Sequence, residues 1–248
     1  MTTDQPKSLF WKHPGAWLQR HMDVVSHVAP FIAWLGLMMV LEMIGPAHAW
    51  KYAVRTGSCA ALFVALRPWR YYSGPRWRDL PWGILVGVVV LGIWVLPEIR
   101  GKGSPFLLQT LYLNYGTFPL GRAPEMLSSS IYAPETAGWA LALVRLTGSA
   151  LVIAVIEEFF WRGFLYRWLI ERRFLRLPLS EWDGEAFLIM IVLFGVEHNR
   201  WLAGMAAGAL YGLLMLRTRS IWSACIAHIV TNLLLGIYVL QTGSYGFW

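Results

Sequence analysis

The residues able to do chemistry in this chain are charged or titratable groups set inside apolar runs. They are Glu42, Arg145, Glu157, Glu158, Arg162 and Glu197, with His27, His198 and His228. A charged side chain at mid-bilayer costs ~2.5–3.5 kcal/mol even on the mild insertion scale, so such positions demand a reason. Most fall in the last hundred or so residues, which points to a polar site in the C-terminal part. Glu157 and Glu158 are adjacent, and successive helical residues point about 100° apart while i,i+4 residues share a face. Glu158 therefore reaches Arg162 one turn on, as a buried neutralised pair. Glu157 has no cation at i±3 or i±4; it must find a partner on another helix, bind water or keep a proton. A carboxylate in a wet cavity is what a general base requires.

Two further pairs share a helical face: Phe194 with His198, and His228 with Asn232. A lone intramembrane His or Asn is ordinarily a helix–helix hydrogen bond. Depth argues for more. At 1.5 Å per residue, Glu158 lies roughly 18 Å below a boundary near Ile170 and His198 roughly 20 Å from Glu185. His228 and Asn232 lie roughly 12 and 18 Å from Ser220 on the same count. Three separate segments thus deliver polar groups to one level, and a pocket is the economical expectation.

The elements that must position them are membrane helices. Of 248 residues, 57% are hydrophobic and only 14% charged, with 15 Trp, 12 Phe and 10 Tyr, and the mean hydropathy is +0.49. Soluble domains run ~25% charged, so a soluble, disordered, collagen-like or disulfide-stapled chain is excluded. The composition predicts an all-α, polytopic membrane helix bundle of about seven to eight transmembrane helices. With ~20 apolar residues per span, the runs are Val24–Ile44, Trp50–Leu66, Leu80–Leu96, Ala137–Ile170, Ala186–His198, Trp201–Leu216 and Ile221–Leu240. The fifth and sixth form a tight hairpin. Phe106–Phe118 either rests in the interface or dips in as a partial span.

The organisation expected is a polar N-terminal segment (1–23), N-terminal membrane helices with a long loop (24–136), and a membrane core carrying the active site (137–248). No cleavable signal peptide and no internal repeat is evident. Gly204, Gly208 and Gly212 make a small-residue stripe suited to close helix packing. Cys59 and Cys225 read as small buried hydrophobes. The net charge of +7 belongs to membrane topology rather than to nucleic acid. An N-inside arrangement gathers Lys7, Lys12, Arg20, Arg67, Arg70, Arg76, Arg78, Arg167, Arg172, Arg173, Arg176, Arg217 and Arg219 on one side. The other receives Lys51, Arg55, Arg100, Lys102, Arg122 and Arg200, so the positive-inside rule predicts a cytoplasmic N-terminus.

The ordered set Glu-Glu-x-x-x-Arg (Glu157, Glu158, Arg162), Phe-x-x-x-His (Phe194, His198) and His-x-x-x-Asn (His228, Asn232) resembles the signature motifs of the CAAX-protease and bacteriocin-processing family of intramembrane endopeptidases. Val-Glu-His-Asn-Arg-Trp-Leu-Ala-Gly and Ala-His-Ile-Val-Thr-Asn-Leu-Leu-Leu-Gly-Ile-Tyr-Val-Leu look like its bacterial branch associated with exosortase and PEP-CTERM sorting, which implies a bacterial inner membrane. The resemblance implies that Glu157 with His198 activates a water while His228 and Asn232 hold the oxyanion. Glu158 and Arg162 would be the supporting pair. The partners implied are membrane lipid and a membrane-anchored or lipidated protein or peptide substrate. No cofactor is expected; if zinc were used, Glu157, His198 and His228 would be its ligands, though no His-Glu-x-x-His helix is present. Phe159, Phe160, Trp161 and Phe164 are either a surface for a lipid or apolar peptide or ordinary packing residues. The rival classes are a non-catalytic membrane scaffold or immunity protein and a proton-coupled transporter.

Overall fold

Long apolar runs with glycine or polar breaks between them give eight principal helices in a computed structural model describing residues 21–99, 105–125 and 127–248. They are α1 (Met22–Glu42), α2 (Ala49–Leu66), α3 (Asp79–Val95), α4 (Leu107–Tyr115), α5 (Trp139–Ile170), α6 (Gly184–Val196), α7 (Trp201–Thr218) and α8 (Ile221–Thr242). The described residues include no strand. Helices α1, α3, α5 and α8 are long and apolar enough to cross a membrane, and α6 is a shorter apolar helix. The architecture is an all-α membrane bundle. The polar N-terminal segment as far as Arg20, with Lys7 and Lys12, lies outside the described residues, as do Arg100 and Lys102.

Each expected span is a helix, with ends displaced by a few residues. The segment Phe106–Phe118 is not a further span: α4 has nine residues, about 14 Å of helix against ~30 Å of hydrocarbon. It lies instead on the α6–α7 hairpin, where Phe118 N donates to Asn199 O at 2.6 Å and the Trp201 indole donates to Tyr115 O at 2.7 Å. Helix α6 also ends sooner than its apolar run suggests. It starts where Asp183 Oδ1 accepts from Ala186 N at 2.8 Å and stops at Val196. His198 thus belongs to the turn before α7 rather than to the helix.

Small residues set the closest approaches. A Cβ on Gly87 of α3 would lie 2.6 Å from Ala227 O, so α3 and α8 approach backbone to backbone. The glycine stripe on α7 does the same for α6: Gly204 faces Gly195, Gly208 faces Phe194 and Gly212 faces Phe187. Within α5, the segments Gly148–Ile153 and Phe159–Leu165 are π-helical and bracket a short α stretch carrying Glu157 and Glu158. Such wide turns recur at functional sites. Phe159, Trp161 and Phe164 are buried, and Phe160 stacks on Phe31 at 4.2 Å. This aromatic run therefore packs α5 against α1 and its neighbours. Both cysteines are free and buried.

The two ends of the bundle are tied separately. At one, Asp79 receives Arg76 Nη2 at 2.8 Å and Ser220 Oγ at 2.7 Å, joining α3 to the α7–α8 turn. There too His27 meets the Tyr72 hydroxyl at 2.8 Å, which makes His27 a helix–loop tie, and burial pushes the Tyr72 phenol above the usual tyrosine range. At the other end, Arg200 pairs with Glu98 and donates to Gly246 O at 3.0 Å.

Candidate active site

Helix α5 brings Glu158 and Arg162 together as the i,i+4 spacing predicts: Arg162 Nη1 donates to Glu158 Oε1 at 3.0 Å, and both side chains are fully buried. Arg162 Nη2 donates to Gly208 O of α7 at 3.1 Å. A Cβ at Gly208 would stand an ordinary 3.6 Å from that guanidinium but only 3.2 Å from Phe194 Cδ1, so the small residue there makes room for the phenylalanine. Phe194 slides beneath the same cation, its ring centroid 4.2 Å from Arg162 Cζ, and also touches the rings of His198 and His228 at 4.8 and 6.0 Å. The motif phenylalanine is the wedge on which the three polar groups rest.

His228 comes down from α8 onto the same carboxylate, its Nδ1 2.9 Å from Glu158 Oε1. Because Arg162 can only donate, Glu158 accepts from both, which assigns the proton to Nδ1 of His228. Tyr211 stacks on His228 at 5.0 Å and anchors itself through Thr231 Oγ1, at 2.7 Å, to the backbone of α3. His228 Nε2 is left facing Glu157, 3.9 Å from Oε2. Glu157 Oε2 is buried and has no hydrogen-bond partner. An unpaired buried carboxylate oxygen is costly.

His198 gives its Nδ1 hydrogen to Phe194 O at 2.7 Å, since a carbonyl can only accept. Its Nε2 therefore holds the lone pair in the neutral ring. Trp94 of α3 packs edge-on at 5.4 Å. Asn232, one turn beyond His228, donates through Nδ2 to Ser149 O at 2.9 Å, a carbonyl in the first π segment. Glu157, Phe194, His198, His228 and Asn232 all line a single cavity of about 290 Å³, with Glu158 and Arg162 behind its wall. The four polar groups thus share one chamber although they come from α5, the α6–α7 turn and α8. Such a site holds a carboxylate, a ring nitrogen able to accept a proton and an amide in one buried space.

Among the described residues no group of three His, Cys, Asp or Glu side chains is disposed to hold a metal ion.

Of the remaining singled-out residues, Glu42 and Glu197 do not line this cavity. Glu42 is exposed on the rim of a neighbouring cavity, and Glu197 Oε2 is buried at the end of α6 without a hydrogen-bond partner. Arg145 lines the chamber, together with groups that sequence reasoning did not single out for it: Trp34, Tyr52, Arg55, Trp94 and Tyr211. The N-terminal helices therefore contribute wall to a site whose motifs all lie in the C-terminal part. Aromatic residues in apolar runs carry no signal of such a role; Arg55, a charge in α2, did carry one.

No curated protein and no solved structure matches the chain. Residues 139–234 do match the family model described as Rce1-like, type II CAAX prenyl endopeptidase Rce1-like, and this stretch holds all seven motif residues. Over Trp139 to Leu234, somewhat under half of its length, the chain is therefore similar to Rce1-like type II CAAX prenyl endopeptidases, and the similarity covers the stretch that lines the chamber with its motif residues.

Proposed function

We propose that this protein hydrolyses a peptide bond of a membrane-anchored or lipidated protein by a glutamate-dependent mechanism centred on Glu157. The observation that supports it best is the convergence of Glu157, His198, His228 and Asn232 on one chamber. Glu157 and the Nε2 lone pair of His198 take a proton from a water as its oxygen bonds to the scissile carbonyl carbon. The carbonyl oxygen then carries the negative charge. Asn232 keeps a second amide hydrogen beyond the one given to Ser149, and His228 donates from Nε2 when it is an imidazolium. Donors fixed in advance around such an oxyanion are worth ~10²–10³ in rate. Collapse of the intermediate breaks the C–N bond, and the proton passes to the departing amine. Glu158 and Arg162 hold His228 in place.

The proposal routes no step through a metal. Activity should survive 1,10-phenanthroline; complete loss restored by zinc would assign Glu157, His198 and His228 as ligands instead. The two stretches similar to the exosortase-associated branch, at 196–204 and 227–240, favour the C-terminal segment of a sorted protein in a bacterial inner membrane as the substrate. The deciding assay compares purified wild type with Glu157→Ala and His198→Ala on a quenched library of lipidated peptides. Wild type alone should turn over. Equal rates for all three would remove the protease reading and leave a binding scaffold, whereas proton-coupled uptake in liposomes would make it a transporter.

A further inference from the structure

Each fully buried arginine among the described residues has somewhere to put its charge. Arg162 has Glu158 and Arg200 has Glu98, while Arg167 donates to the carbonyls of Gly163 and Leu177. Arg55 of α2 and Arg145 of α5, both half-buried, differ. Neither forms an ion pair or a hydrogen bond among the described residues, and the Nε of each is buried without an acceptor. Aromatic rings hold them instead. Arg55 Cζ lies 4.1 Å from the Trp34 ring and 5.0 Å from Tyr52; Arg145 Cζ lies 4.5 Å from Tyr52 and 5.2 Å from Tyr132. Two like charges thus share one tyrosine. Cation–π contacts orient guanidinium groups but neutralise nothing, and unpaired charges within a membrane bundle are expensive. Glu42, exposed on the rim nearby, pairs with neither.

The two arginines stand where two cavities meet. One is the chamber of Glu157, His198, His228 and Asn232; the other, of about 340 Å³, runs toward Glu42 and Lys51, whose Nζ is spent on Gly45 O at 2.9 Å. We propose that Arg55 and Arg145 form an anion subsite that receives a carboxylate of the substrate peptide. The proposal deepens the protease reading and rests on it. Planar guanidinium groups held flat by rings match a planar carboxylate through paired N–H donors. Continuity with the chamber favours a group carried on the substrate. Spacing follows from α5: Arg145 and Glu157 are separated by roughly 18 Å of helix, which an extended peptide at ~3.3 Å per residue covers in about five residues.

Binding, not turnover, tests it. The full-length protein in phosphatidylcholine nanodiscs is titrated with a dye-labelled, acylated apolar peptide as its free acid and as its C-terminal amide, read by anisotropy. Wild type and Glu157→Gln should bind the acid about tenfold more tightly. Arg55→Met and Arg145→Met should erase that preference. Should either variant fail to fold, Arg55→Lys, which keeps the charge but loses the fork, should retain only part of it. The acid–amide comparison in wild type needs no variant at all. Equal affinity for acid and amide overturns the subsite, as does a preference that survives in both Met variants. Loss of the preference when anionic phosphatidylglycerol is added assigns the arginines to a lipid phosphate and also overturns it. Hydrolysis indifferent to the carboxylate would sink the subsite alone; a carboxylate preference without hydrolysis of any peptide would sink the protease reading alone.

Discussion

Glu158 Oε1 receives both Arg162 and His228, while the neighbouring Glu157 keeps an oxygen with no partner. Adjacent carboxylates in such opposite situations should respond differently to the isosteric amide. Glu158→Gln leaves a fully buried guanidinium without its counter-charge, and breaking one side of a buried pair costs ~3–5 kcal/mol. A large fall in the thermal midpoint is expected, with activity lost as a consequence. Glu157→Gln breaks no ion pair of the supporting network, so its midpoint should match wild type while turnover falls by ~10²–10⁴, the worth of a positioned base. Scanning fluorimetry paired with a turnover assay separates the two. Equal destabilisation by both substitutions would make Glu157 a structural residue.

At the scale of elements, α7 must come close enough for Arg162 to reach Gly208 O and for Phe194 to lie beneath that arginine. A Cβ at Gly208 would stand 3.2 Å from Phe194 Cδ1, so Gly208→Val overpacks the seam, typically by ~1–3 kcal/mol. Lower thermal midpoint and lower turnover are expected together. Gly57→Ala on α2, where a Cβ meets nothing within 4 Å, is the control and should leave both unchanged. The glycine stripe was legible in the sequence because small residues at four-residue spacing carry a packing meaning, and the long helices because apolar runs cannot be hidden. Glu158–Arg162 was legible from i,i+4 geometry. The tie between Glu158 and His228 was not, because it crosses 70 residues of chain and depth arithmetic gives level without direction. The π segments leave no mark in residue periodicity, and neither does the role of Trp94 over His198. His198 sits in a turn and still meets Phe194 O at the i−4 position, so its spacing misled only about the helix end.

For the whole molecule, the uneven charge of the two bundle ends carries a topological consequence. The end holding the start of α1, the ends of α2, α5 and α7 and the start of α8 bears Arg67, Arg70, Arg76, Arg78, Arg172, Arg173, Arg176, Arg217 and Arg219. The opposite end has Lys51, Arg122 and Arg200, and residues there (Arg200, Phe247 and Trp248) line the cavity that also holds Glu157 and His198. The positive-inside rule predicts that the arginine-rich end faces the cytoplasm, which would open the cavity toward the far side. Thiol labelling in intact cells tests this with little background, because Cys59 and Cys225 are 0% and 1% exposed. A cysteine at Leu120, which is exposed beside the α6–α7 turn, should react with a membrane-impermeant maleimide. One at Arg173, exposed at the arginine-rich end, should react only after the membrane is permeabilised. The reverse pattern would place the cavity mouth on the cytoplasmic side and require a substrate presented from within.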